Sequence, residues 1–239
     1  MQPARPFLTA EWRWLALLQF EAEPATLAPL VPRGTELDSW QGRHLVSVVG
    51  FVFQRTRVLG IPAWFHEDFE EVNLRFYVRR KADDGWRRGV VFVKELVPKP
   101  LVTLIARACY NENYHTVPMR RELVMLGPRK QFHYAWTFGG REHGIRARAE
   151  ADWRELEPGS EAEFITEHYW GYTRQRDGGT IEYRVEHPRW RVVAACESSL
   201  DCDAGALYGP QFGDCLRAKP VSAFLADGSA VTVYRGKRL

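Results

Sequence analysis

Within the segment FEEVNLRFYVRR, Phe69 to Arg80, residues 71–78 alternate between hydrogen-bonding and apolar positions. Val72, Leu74, Phe76 and Val78 fall on one face, and Glu71, Asn73, Arg75 and Tyr77 on the other, as in a strand whose side chains point alternately up and down. Upstream, RHLVSVVGFVFQRTRVL (43–59) is β-branched and aromatic and predicts a long strand with a bend at Gly50. Downstream, KADDGW and RRGVVFVKELV complete a β-hairpin over 72–97. A three-residue loop at Asp83–Gly85 sets Glu95 near Asn73 and Arg75. EWRWLALLQFEAE fits a buried strand or a short helix, and EPATLAPLVPRGT one or two helical turns between Pro24 and Pro32. PKPLVTLIARACYNENY predicts a helix with Pro100 in its first turn. Leu101, Leu104, Ile105 and Ala108 lie on its core side, and Thr103, Arg107, Tyr110 and Tyr114 on another. QFHYAWTFGG and HGIRARAEADWREL form a hairpin turning at Gly139–Gly140. Ser160 and Glu163 have capping-box spacing, YTRQRDGGTIEYRVEH is a strand pair turning at Asp177–Gly179, and SAVTVYRG is a last strand.

Many strands and two or three helices predict a mainly β (α+β) fold: an antiparallel sheet closed or nearly closed on itself, as one domain over residues 1–239. Hydrophobic residues at 45% and aromatic residues at 13%, nine of them Trp, suit a folded core. The net charge of +3 offers no field for steering anionic polymers, so no nucleic-acid partner is expected. Cys109, Cys196, Cys202 and Cys215 form no CxxC pair and are expected to be reduced thiols. WLALLQF is too short for a signal peptide, and no apolar run reaches membrane-spanning length. A cytoplasmic protein with no membrane partner is therefore expected, and a homo-oligomer stays open.

The polar row Glu71, Asn73, Arg75 and Tyr77 meets either water or a cavity. In water it needs no explanation. In a cavity it is a recognition surface, because burying either charge unpaired costs several kcal/mol. HEDFEE (66–71) sets one imidazole beside four carboxylates but lacks metal-ligand spacing, and no metal or cofactor is expected. Dinucleotide-binding, P-loop and nucleophile-elbow patterns are absent. Arginine pairs at 79–80, 87–88 and 120–121 read as solvated surface, and EHPRW (186–190) as a structural corner rather than a ligand site.

FLTAEWRWLALLQFEAEPATLAPLVPRGTELDSWQG, FEEVNLRFYVRR, ARACYNENYHTVPM, ITEHYWGYT and VEHPRWRV, in this order across nearly the whole chain, resemble the bacterial YqjF-like proteins. That family, domain of unknown function 2071, is uncharacterised and is grouped with the acetoacetate decarboxylase-like superfamily. The resemblance implies a closed antiparallel β structure, barrel or cone, with an internal cavity and flanking helices. In the decarboxylases a lysine of lowered pKa forms a Schiff base with the keto acid. On the resemblance Arg107 matches the arginine before that lysine, Ala108 replaces a glutamate, and the lysine falls near Tyr114 or His115. No lysine occurs between Lys99 and Lys130. Schiff-base chemistry is therefore not expected, unless Lys94 enters the lumen. Glu71 matches the cavity glutamate.

The reading that follows is a barrel binding a small, anionic or keto-bearing molecule. Arg75 and Arg107 would serve as carboxylate partners and Glu71 and Asn73 as orienting groups, with Tyr77, Tyr110 and Tyr114 around the ligand. Two alternatives remain. One is a lyase or isomerase using Glu71 or His115 as acid or base and an arginine to hold an enolate. The other is a polyanion or protein interaction module built on the arginine pairs.

Overall fold

Three consecutive strands of this chain are buried on both faces over much of their length, as in a barrel wall that is covered outside as well as filled inside. The computed structural model describes residues 5–63 and 68–239, with backbone only at 106 and 108–110. In chain order the strands of three or more residues are β1 (Pro6–Glu21), β2 (Leu45–Val58), β3 (Phe69–Ala82), β4 (Gly85–Val97), β5 (Tyr114–Thr116), β6 (Met119–Leu126), β7 (Arg129–Phe138), β8 (Arg141–Glu150), β9 (Trp170–Arg174), β10 (Thr180–Glu186), β11 (Val192–Ala194), β12 (Glu197–Asp201) and β13 (Ser222–Tyr234). β13, β1, β2, β3, β4, β9 and β10 pair in that order, and β10 returns to β13, closing a seven-stranded barrel. Every seam is antiparallel except β4–β9, which is parallel at Trp170↔Gly89 and Gly171↔Val90. A second sheet, β12-β8-β7-β6, lies outside. The helices are α1 (Pro100–Tyr110), α2 (Glu161–Thr166) and three shorter ones at 24–27, 204–208 and 213–217. Among the described residues no helix is long and apolar enough to cross a membrane.

The oily face of β3 points out of the barrel. Val72, Leu74, Phe76 and Val78 join Leu18, Phe20, Val46 and Val48 of the wall and Phe132, Tyr134, Trp136 and Ile145 of the second sheet in the main core. The opposite face of the wall contributes Leu15, Leu17, Val49, Phe51, Phe53, Phe69 and Tyr77 to an inner cluster. Burial on both sides removes the alternation from WLALLQF, which is strand throughout; a continuous apolar run is what a doubly covered strand looks like.

Gly50 does not bend its strand. β2 runs through it in register, Gly50↔Val72, and the irregularity lies on the neighbour, between Arg13 and Ala16 of β1, where Trp14 has φ of 58°. A Cβ on Gly50 would sit 2.6 Å from the Tyr134 ring, whose hydroxyl donates to Trp14 O at 2.7 Å. The glycine admits the ring that satisfies the bulge. Gly50→Val is expected to lower stability by about 1–3 kcal/mol through overpacking, read as a fall in melting temperature. A variant that melts like the parent would refute this packing role.

The β3–β4 loop has two residues, Asp83 and Asp84, since Ala82 pairs with Gly85. The expected three-residue loop is thus corrected, yet Asn73 still faces Glu95. The register shifts between Leu74 and Arg75, with Val93 as the extra residue, and this bulge supplies the offset the longer loop would have given.

α1 begins at Pro100 as expected and ends at Asn111 in the left-handed region. Its leucines do not cover the core: Leu101 and Leu104 are 48% and 64% exposed, while Thr103 is buried and bonds Thr116. The helix leans over the end of the barrel rather than onto the core, so Leu101, Val102 and Ile105 border the cavity instead of filling a hydrophobic layer.

Candidate functional site

The polar face of β3 opens into a cavity of about 570 Å³ inside the barrel, lined by Glu71, Asn73 and Arg75 among others. All three are buried. β3 and β4 place Asn73 opposite Glu95, and the parallel pairing of β4 with β5 sets Tyr114 beside Glu95. The left-handed Asn111 that ends α1 turns the chain so that Glu112 enters between β9 and β10. There it accepts from Thr173 Oγ1 and, at 3.0 Å, from the Tyr183 hydroxyl. Tyr183 reaches it by lying over Gly171, its cross-strand partner, where a Cβ would fall 2.1 Å from the ring.

Glu71 is held from both sides. Asn73 Nδ2 donates to one oxygen at 2.9 Å and the Tyr114 hydroxyl to the other at 3.0 Å. Burial dominates its protonation all the same, and with the nearby charge of Glu112 it pushes Glu71 up to about 7, against the two hydrogen bonds and the more distant Arg75. Burial also raises Glu112 to about 7 despite the donors Thr173 and Tyr183. Glu95, buried beside Glu112 and Glu71, lies well above the usual carboxylate range, and its Oε2 has no partner. Three buried carboxyl groups thus line one cavity, where burial favours their protonated forms. Among the described residues no three His, Cys, Asp or Glu side chains stand in a metal-holding arrangement.

Arg75 is the sole Lys or Arg among the described lining residues. One Nη donates to Ile165 O at 3.1 Å, at the end of α2, and the guanidinium lies 5.8 Å from the Tyr77 ring centre. Its Nε is buried without a partner, and among the described residues no ion pair engages it. His168, from the EHYWGYT stretch, sits nearby with both ring nitrogens unbonded; burial, then the charges of Arg88 and Arg75, hold it well below its ordinary pKa. His187 stacks on Trp190 at 4.3 Å, and both line the cavity, so EHPRW forms part of its wall.

The remaining expected site residues lie elsewhere. Tyr77 is under the cavity floor, its hydroxyl 2.5 Å from Ser47 Oγ and its ring against His168. His115 bonds Asn113 at 3.0 Å and does not line the cavity. Arg107 borders a shallow outer cleft with Asn111, Arg176 and Asp177. The Tyr110 side chain and the His66–Glu67 part of the metal reading lie outside the described residues. Lys94 points away from the lumen to Leu207 O, and none of the lining residues is a lysine. Of the two positions where the resemblance puts the decarboxylase lysine, Tyr114 is the one that enters the cavity. Each arginine of the pairs is in an ion pair: Arg79 with Glu36, Arg80 with Glu182, Arg87 with Glu182 and Asp84, Arg88 with Asp38, Arg120 with Glu142 and Arg121 with Glu70.

Sequence reasoning passes over Glu112, Tyr183, His168 and Trp190 as cavity groups. The available signal is the i, i+2 spacing of Glu112 and Tyr114 in NENY, which puts both on one side of an extended segment.

The family model of DUF2071, an uncharacterized conserved protein, matches residues 9–230. Among solved structures the chain is similar to acetoacetate decarboxylase from Legionella pneumophila, with 15% identity over 99% of this chain and 88% of that one and a TM-score of 0.69. It is similar to an acetoacetate decarboxylase-like enzyme from Sphingomonas wittichii RW1, with 13% identity, 97% and 92% coverage and a TM-score of 0.67. The enduracididine biosynthesis enzyme MppR complexed with pyruvate follows at 11% identity, 100% and 91% coverage and a TM-score of 0.65. At such identities the likeness shows the fold. No curated protein matches the chain.

Proposed function

We propose that this chain, which belongs to the uncharacterized conserved family DUF2071 and has the acetoacetate decarboxylase-like barrel, binds a small anionic or keto-bearing metabolite in its cavity. The observation that carries this reading is Arg75: a buried guanidinium with an unbonded Nε, no ion-pair partner among the described residues and a cavity in front of it. A buried cation left in that state is costly, and an incoming carboxylate supplies the missing acceptor. Glu71, Asn73 and Tyr114 then orient the ligand's second polar group. MppR, of the same fold, is complexed with pyruvate. A keto acid fits the donors here for reasons of its own, since a protonated carboxyl group can donate to a carbonyl and Glu95 Oε2 is unbonded, whereas the single Tyr114 O–H is already given to Glu71. Among the described lining residues none is a lysine, which argues against an iminium route, because neither a phenol nor an imidazole forms that electron sink. Free Cys196, Cys202 and Cys215 suit a reducing, cytoplasmic setting.

A second reading, acid–base catalysis, is favoured by one observation. Glu71 and Glu112 lie near 7, where a carboxyl group both gives and takes a proton at neutral pH. Ionised Glu71 would take a proton from the carbon next to the ligand's carbonyl, the C–H electron pair forming a C=C bond as the carbonyl π pair moves onto oxygen, giving an enolate held by Arg75. NMR of a panel of 2-oxo and 3-oxo acids in D₂O separates the two. Binding predicts ligand line broadening that is absent for the matching carboxamides, and catalysis adds loss of the α-proton signal above the buffer rate. Equal broadening by acids and carboxamides would remove the carboxylate reading.

A further inference from the structure

The cavity is much larger than its polar floor requires. Counting roughly 30 Å³ per heavy atom, the share of a water molecule, a three- or four-carbon keto acid fills about a third of the 570 Å³. The rest is apolar and is ordered along the wall. The register Ser47↔Arg75, Val49↔Asn73, Phe51↔Glu71 and Phe53↔Phe69 steps from the cation, past the polar groups, to an aromatic layer. In that layer Phe53 stacks on Phe69 at 4.7 Å, and Trp12 meets Phe51 and Phe53 edge-on at 5.5 and 5.9 Å. Beyond it lie Val102 and Ile105 of α1 and the strongly exposed Leu59, Ile61 and Leu101, all lining the same cavity. Exposed leucine and isoleucine gathered around one opening are costly in water unless something apolar passes between them.

We propose, resting on the acid-binding reading above, that the natural ligand is an amphipathic oxo acid. Its carboxylate meets Arg75, its oxo group faces Glu71 and Tyr114, and an alkyl or aryl tail of about six or more carbons runs through the aromatic layer to the mouth between α1 and residues 59–61. The apolar wall selects for tail length, and the floor selects for the head. A pyruvate-sized acid satisfies the floor and leaves the aromatic layer unfilled.

The test is titration of straight-chain 2-oxo acids of three to ten carbons, followed by intrinsic tryptophan fluorescence, to which Trp12, Trp170 and Trp190 of the cavity wall contribute, with 2-alkanones of equal length in parallel. Affinity is expected to rise about fourfold per added methylene, the equivalent of ~0.8 kcal/mol, and to level off when the tail emerges at the mouth. Ile105→Trp is expected to move that levelling to shorter chains; a plateau that stays in place overturns the proposed path of the tail. A flat acid series that Arg75→Met still weakens overturns the tail compartment and sustains the head site. A slope shared equally by acids and ketones overturns the head site and sustains the tail compartment.

Discussion

Arg75→Met is expected to bind oxo acids at least about thirtyfold more weakly, some 2–5 kcal/mol for the loss of one partner of a buried charge pair, while the unliganded protein melts no lower than the parent. The two halves of this result come from the same geometry. Among the described residues Arg75 has one hydrogen bond, to Ile165 O, the flank of the Tyr77 ring and an unbonded Nε. Replacing a poorly compensated buried ion with an apolar side chain of similar length is commonly neutral or stabilising by about 1–4 kcal/mol. Loss of the donor to Ile165 O offsets part of that, by about 1–3 kcal/mol. With ligand present the balance inverts, because the guanidinium is then the cation that pairs the carboxylate. Arg75→Lys keeps the charge but not the planar fork and should fall between the two. Thermal melts without ligand and titrations with it, on the same samples, read both. A fall of several degrees in the unliganded melt of Arg75→Met would mean that Arg75 is a strut of the fold, and the case for a ligand would go with it.

The strand that supplies Arg75 is legible in the sequence because period-two alternation reports two faces whatever each face meets. Which face is inside is not legible. Val72, Leu74, Phe76 and Val78 look like the inner side of a small barrel, yet they face a second sheet, and the lumen takes the polar row. Alternation fixes the difference between faces and not its sign, and the lumen comes from the resemblance. α1 misleads for a related reason. Apolar stripes usually cover a core, whereas the leucines of this helix rim an opening. His115 and Arg107 follow from counting along the chain toward a missing lysine. β5 turns Tyr114 inward and so carries its neighbour His115 away from the cavity. Glu112 is out of reach because its burial depends on a left-handed Asn111 and on Thr173 and Tyr183, about sixty to seventy residues later.

Glu112→Gln is expected to flatten a pH dependence that the parent protein shows in the opposite sense to ordinary acid denaturation. Burial raises Glu71 and Glu112 from 4.5 to about 7 in the folded chain, while the unfolded chain keeps the ordinary value. Between those pH values the folded state binds more protons than the unfolded one, so stability falls as pH rises. The contribution is complete below about 4.5 and is lost as pH climbs through about 7. The contribution belongs to the neighbouring buried carboxyl groups together, and each tenfold difference in proton affinity between the folded and unfolded chains is worth about 1.4 kcal/mol. Glutamine keeps the oxygen that accepts from Thr173 and Tyr183 and cannot ionise. At pH 5 the variant and parent should therefore unfold at similar urea concentrations, and at pH 8 the variant should resist more. A parent whose midpoint is constant from pH 5 to 8 would show that these carboxyl groups titrate as they do in water. The same protons act on the ligand: as Glu71 and Glu112 lose charge on acidification, Arg75 becomes the dominant charge of the cavity, and oxo-acid affinity should tighten from pH 8 to pH 6.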